Sequence, residues 1–207
     1  MGGIYLGFFT PTEGAGVGSV GTFLIALSRG GMKFKDFIDA LMSTATTTAL
    51  IFLILLGAAV FNAFLGFSQL PLAAANFFKE SGLAPMTVLL MMVVLFIMLG
   101  FVMDSLSMIL LTVPIFWPII AVLDFGLQPE DLKLWFGIIT LIVVEVGLIT
   151  PPVGLNVFVI NSMAKDVPMI ETFKGVVPFF VSDGIRVAFI IFFPTITLLL
   201  PQLLASD

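Results

Sequence analysis

The chain has 207 residues, 60% of them hydrophobic and only 10% charged, with a formal net charge of −5. Ordinary soluble domains carry about 25% charged residues, so a soluble core of this size cannot hide so much apolar surface; the chain reads as an integral membrane protein. It has neither Cys nor His, which excludes disulfides, thiolate metal sites and histidine acid–base catalysis, and no basic run points to nucleic acid.

The apolar stretches run near the ~20 residues a helix needs to cross the hydrocarbon core, and the alternating pattern of a membrane barrel is absent. The spacing predicts an all-α membrane protein, with residues 1–207 as a single transmembrane domain. The first span covers about residues 4–28. It is interrupted by Gly7-Phe8-Phe9-Thr10-Pro11-Thr12-Glu13-Gly14. Proline removes a backbone donor and glycine permits unusual backbone angles, so the helix is expected to break there. The start at Met1-Gly2-Gly3-Ile4-Tyr5 has no basic n-region or small-residue cleavage site. No signal peptide is therefore expected. The abrupt entry into a span leads us to expect the carboxy-terminal part of a longer protein.

A connection with Arg29, Lys33 and Lys35 leads to a second span at 37–67, which carries the small-polar patch Ser43-Thr44-Ala45-Thr46-Thr47-Thr48. Such patches suit close helix contact and interhelical hydrogen bonds. Residues 69–84, with Lys79 and Glu80, are less apolar and are expected at the membrane interface. Two apolar arms follow at about 85–123, joined at Asp104-Ser105 with almost no loop. They read as a helical hairpin with an acid and a hydroxyl at its tip. Length leaves open whether the tip stops within the membrane or reaches the far side. Pro114 and Pro118 loosen the second arm. A polar loop at 124–133 precedes a second broken span at about 135–163, interrupted by Gly147-Leu148-Ile149-Thr150-Pro151-Pro152-Val153-Gly154. A polar segment at 164–175 holds Lys165 and Lys174, and the last span covers 176–200.

The two breaks share the spacing Gly-x-x-Thr-Pro-x-x-Gly. Unwound backbone at membrane depth is tolerated where it is buried in protein or lines a polar cavity, and secondary transporters build ion and solute sites from it. Kinked packing helices are the simpler reading of one break alone. Two breaks together with acids inside spans favour a transporter. Those acids are Glu13, Asp104, Glu145 and Asp183, and each is expected to be buried against a cavity, an ion or a partner, since a charge at bilayer centre costs at least ~2.5 kcal/mol. Asp183 and Arg186, spaced i, i+3, read as a structural pair. Glu145 pairs with a helix outside this chain, serves a structural hydrogen-bond network or acts in transport.

Hard cations such as Na⁺ take oxygen ligands. Asp104 and Ser105 from the hairpin tip, with Thr150 and Gly154 from the second break, form the candidate Na⁺ site. Glu13, Thr10, Pro151 and Asn156 are the candidate substrate and coupling residues, and unwound amides suit an anionic solute group. No catalytic residues and no cofactor are expected. The loops at 29–35 and 164–175 carry five Lys/Arg against two in the segments at 69–84 and 124–134. The first pair is therefore expected in the cytoplasm, with the carboxy terminus on the opposite side.

Three motifs carry a resemblance. Gly2-Gly3-Ile4-Tyr5-Leu6-Gly7-Phe8-Phe9-Thr10-Pro11-Thr12-Glu13, Gly100-Phe101-Val102-Met103-Asp104 and Gly147-Leu148-Ile149-Thr150-Pro151-Pro152-Val153-Gly154-Leu155-Asn156 are similar to signatures of one family. It is the large membrane (permease) subunit of tripartite ATP-independent periplasmic (TRAP) transporters. The chain resembles its carboxy-terminal half, in the same order and spacing. The resemblance implies one half of an inverted-repeat, elevator-type transporter, in the inner membrane of a bacterium or archaeon. It implies Na⁺-coupled uptake of an organic acid such as a C4-dicarboxylate or a sialic acid. The implied partners are a periplasmic substrate-binding protein, a small membrane subunit and the amino-terminal half of the same permease. The alternative is an ion-coupled anion or dicarboxylate carrier that needs no binding protein. An intramembrane enzyme is disfavoured, because the acids lie far apart in sequence and no buried Lys is evident.

Overall fold

The computed structural model describes residues 2–5, 7–30, 32–163 and 166–204. Lys165, counted above among the loop cations, Leu6 of the first motif and Asp207 at the carboxy terminus lie outside the described residues. Among those described there are ten helices and no strand. They are α1 (Gly2–Tyr5), α2 (Pro11–Ser28), α3 (Phe34–Ser68), α4 (Leu70–Glu80), α5 (Pro85–Leu99), α6 (Ser105–Ala121), α7 (Pro129–Ile149), α8 (Leu155–Met163), α9 (Met169–Phe192) and α10 (Thr195–Leu204). Three of them, α3, α7 and α9, are long and apolar enough to cross a membrane. The protein is an all-α integral membrane protein. The chain forms two compact units, 1–53 and 54–207, with the boundary inside α3.

In the first unit the chain breaks between α1 and α2, where Gly7 takes φ +72°. Pro11 opens α2, a position where its missing N–H costs nothing. Ile4 of α1 lies against Gly14 of α2, and Phe9 folds back over Gly3. No side chain of α2 is buried within its unit. The Phe23 and Phe37 rings, 5.4 Å apart, link α2 to the start of α3.

The second unit is built around α7. Trp135, Phe136, Ile139, Val143 and Val144 of α7 are buried against Val88, Leu89, Met92 and Phe96 of α5 and Met108, Phe116 and Ile120 of α6. The Phe96 and Phe116 rings meet edge to face at 5.1 Å, the arrangement that aromatic quadrupoles favour. Ile190 and Ile191 of α9 and Leu198 of α10 close the same core.

Three expected boundaries shift. The second broken span starts at Pro129 rather than near 135, so part of the expected polar loop is helix. Pro129 at the first turn is pre-organised for helix, and Glu130 and Asp131 complement its positive end. The last span starts earlier as well, at Met169. It also breaks instead of running on through 200. Pro194 has no N–H for the carbonyl of Ile190, so α9 stops at Phe192 and α10 begins at Thr195. The freed Ile190 carbonyl accepts the indole N–H of Trp135 at 2.8 Å. The break in the last span is thereby tied to the core of α7.

Candidate functional site

Each expected break is a real interruption, and each places backbone ends where the sequence pattern put them. The hairpin arms α5 and α6 are separated by residues 100–104. Asp104 is extended (φ −72°, ψ 160°) and caps α6: its carboxylate accepts the backbone N–H of Ser107 at 3.0 Å and also the Ser107 hydroxyl. Ser105, paired with Asp104 in the sequence argument, is the first residue of α6 instead. The hydroxyl that engages the acid belongs to Ser107. Its signal was present, since Asp at an N-cap addresses the residue three positions on.

At the second break, α7 ends at Ile149 and Thr150 turns extended (φ −76°, ψ 129°). Thr150 is buried, and its hydroxyl donates to the Val146 carbonyl at 2.6 Å. Pro151 and Pro152, joined by a cis peptide bond, supply no N–H. Among the described residues no hydrogen bond reaches the carbonyls of Leu148 and Ile149. They stand at the negative end of the α7 dipole. Gly154 then takes φ +56°, with Phe173 of α9 and Val157 packed where a Cβ would stand, and α8 begins. Asn156 is half-buried in its first turn.

The hairpin break and the second broken helix are neighbours. A Cβ placed on Gly100 would meet the Cα and carbonyl carbon of Gly147 at 2.6 Å. Small residues at a helix crossing permit such backbone contact in membranes. This contact joins the end of α5 to the last turn of α7. No hydrogen bond or ion pair links Asp104 or Ser105 to residues 150–156 among the described residues. Nor do the described residues bring together three or more Asp or Glu side chains able to hold a metal ion.

Thr10 and Glu13 belong to the other unit and partner each other. The Glu13 carboxylate accepts the Thr10 backbone N–H at 2.8 Å and its hydroxyl at 2.9 Å, while the Thr10 hydroxyl receives the Glu13 N–H at 3.3 Å. This is a capping box, whose Thr-x-x-Glu pattern is legible in the sequence.

The expectation that the acids are buried is corrected. Glu13, Asp104 and Glu145 are all exposed on this chain, and Pro151 with them. Each stands on a helix face or end that no other element of its unit covers. Asp183 is half-buried and pairs with Arg186 at 2.8 Å, the structural pair the i, i+3 spacing predicted.

The motifs, the paired breaks and the all-helical architecture agree with comparison to known proteins. Residues 1–196 match the family of the DctM component of tripartite ATP-independent periplasmic transporters. The chain belongs to that family, a family of transporter permeases and not of enzymes. It is 34% identical, over 98% of its length and 46% of the other protein, to the sialic acid TRAP transporter large permease protein SiaM of Vibrio cholerae serotype O1. It is 33% identical, over 100% of its length and 47% of the other protein, to the C4-dicarboxylate TRAP transporter large permease protein DctM of Pseudomonas aeruginosa. The ectoine/5-hydroxyectoine TRAP transporter large permease protein UehC of Ruegeria pomeroyi is 31% identical over 100% of this chain and 47% of that protein. The chain thus spans about half the length of the curated relatives it matches.

Proposed function

We propose that the chain works as the carboxy-terminal half of a TRAP large permease, in a multi-pass protein of a bacterial or archaeal inner membrane. The complete permease takes up an organic acid in symport with Na⁺. The acid is delivered by a periplasmic binding protein, and a small membrane subunit supports the permease. The observation that carries this reading is the family match over residues 1–196. Relatives named for sialic acid, C4-dicarboxylates and ectoine support a small organic acid as the solute.

The local geometry suits the ion's part. The unpaired carbonyls of Leu148 and Ile149 offer oxygen at the negative end of α7, and the Gly100–Gly147 contact brings the hairpin break alongside. In this reading Asp104 and Ser105 from the hairpin, with Thr150 and Gly154 from the second break, surround the Na⁺ ion. Pro151 and Asn156 face the solute, whose carboxylate takes the free amides that open α8. Thr10 and Glu13 serve coupling at the first break, where one Glu13 oxygen stays free of the cap. The two repeats then alternate access in an elevator motion.

The test is reconstitution of the complete permease with its small subunit and binding protein in liposomes, supplied with labelled sialic acid, succinate or ectoine. An inward Na⁺ gradient is expected to drive accumulation of one of them. Equal uptake with Na⁺ replaced by K⁺ on both sides would remove Na⁺ from the mechanism.

A further inference from the structure

The half-helix α8, which opens at the second break, is only 9 residues long. At 1.5 Å per residue it measures about 13 Å, under half the ~30 Å of hydrocarbon. A helix this short is marginal by itself, so its seat is set by what packs on it. Val157 is its one buried side chain among the described residues. At the break, Val157 and the Phe173 ring of α9 lie 3.2 and 3.3 Å from where a Cβ on Gly154 would stand. Asn161, four residues after Val157, shares its face of α8. There the Thr172 hydroxyl of α9 donates to Asn161 Oδ1 at 2.9 Å, and both side chains are half-buried. A helical Thr ordinarily bonds back to a carbonyl of its own helix, three or four residues earlier. Thr112 does so, to Met108, at 2.6 Å. Thr172 reaches across to α8 instead, so two consecutive residues of α9 hold α8 at two points.

We infer that Asn161 and Thr172 are positioning residues for transport. Their hydrogen bond, with Phe173 against Gly154, fixes the rotation of α8 about its own axis. Apolar contact at Val157 alone has no direction, whereas a hydrogen bond needs its donor aligned with its acceptor. Asn156 lies about 100° round the helix from Val157, so the same rotation sets the bearing of Asn156. The Gly154 carbonyl accepts the Phe158 N–H, which leaves the N–H groups of Leu155, Asn156 and Val157 at the open end of α8. The Asn161–Thr172 bond thus decides where these amides stand at the break. This inference rests on the proposed reading in which the opening turn of α8 takes the solute carboxylate.

The experiment has two arms, both on the complete permease. The first reads the seat of α8 without transport. The chain has no cysteine, so Val157→Cys supplies a buried thiol, with any cysteine outside these residues replaced by Ser. Its labelling rate with N-ethylmaleimide reports how often α8 leaves its seat. Thr172→Val is expected to raise that rate about threefold, the size of one interhelical hydrogen bond in a membrane. Asn161→Leu is expected to do the same, and the two together no more than either alone. Thr172→Ser, which keeps the hydroxyl, is expected to hold the original rate. The second arm measures Na⁺-driven uptake without the added cysteine, in liposomes with the small subunit and binding protein. The acid is whichever of sialic acid, succinate and ectoine the unaltered permease accumulates. Thr172→Val is expected to raise the half-saturating concentration of loaded binding protein about threefold with the maximal rate retained. Thr172→Ser and Gln202→Leu, the latter removing the exposed bond from α10 to Asp131, are expected to leave both values unchanged. Unchanged labelling in Thr172→Val would overturn the seating of α8. Faster labelling with unaltered uptake would overturn the role in transport and leave a bond that only joins two helices. Absence of uptake by the unaltered permease would remove the proposed function and the role in transport with it, while the labelling arm still decides the seating alone.

Discussion

Trp135 shows how one side chain repairs what a proline breaks. Pro194 leaves the Ile190 carbonyl without its helical donor, and the buried indole N–H takes it at 2.8 Å. Trp135→Phe keeps an aromatic ring in the core but orphans that carbonyl. It is expected to lower the stability of the purified permease by about 1–3 kcal/mol, the cost of an unmade buried hydrogen bond. Thermal unfolding in detergent reads this as a lower Tm; an unchanged Tm would show that another group satisfies the carbonyl. Thr10 and Glu13 pose a different question at the same scale, because one carboxylate serves both a cap and the proposed coupling. Thr10→Ala removes the cap at a cost of about 1 kcal/mol. Glu13→Gln keeps a capping box, since Gln serves at that position, and so keeps expression near normal. Its uptake is nevertheless expected to fall. Full uptake by Glu13→Gln would confine Glu13 to capping. The sequence showed the Thr-x-x-Glu spacing plainly. It did not separate the two roles, because both call for a carboxylate at the start of a helix.

The interrupted helices were legible because proline and glycine act locally. Pro11 and Pro151-Pro152 cannot donate, so the breaks at α1–α2 and α7–α8 follow from composition at the spot. The same chemistry acts at Pro194, where the signal is masked because the apolar run continues unbroken across it and prolines are common within membrane spans. The meeting of Gly100 with Gly147 was not legible at all. Each glycine is unremarkable within its own helix, and only tertiary packing brings them together. The contact is testable: Gly100→Ala places a Cβ 2.6 Å from Gly147 backbone, which has no rotamer with which to yield. We expect reduced membrane expression and a lower Tm, whereas Gly57→Ala, in open space on α3, is tolerated. Equal behaviour of the two variants would contradict the close crossing of α5 and α7. At the hairpin tip, Asp104→Asn retains an N-cap, because Asn caps as well as Asp. Expression of the complete permease is therefore expected to hold while the Na⁺ dependence of uptake weakens. Unchanged Na⁺ dependence would leave Asp104 as the cap of α6 and no more.

For the molecule as a whole, membrane character followed from composition, and the family followed from three motifs in register. The burial of the acids did not follow. Glu13, Asp104 and Glu145 face outward from the units that hold them, and the chain spans about half the length of the relatives it matches. Carriers with inverted repeats build their sites where the repeats meet. The most direct test compares the 207-residue chain with the complete permease in parallel liposomes. Both receive the small subunit, the binding protein, an inward Na⁺ gradient and the same labelled acid. Accumulation is expected with the complete permease, and none above protein-free liposomes with the chain alone. Na⁺-driven accumulation by the 207-residue chain would contradict the account and show that its copies assemble a full site by themselves.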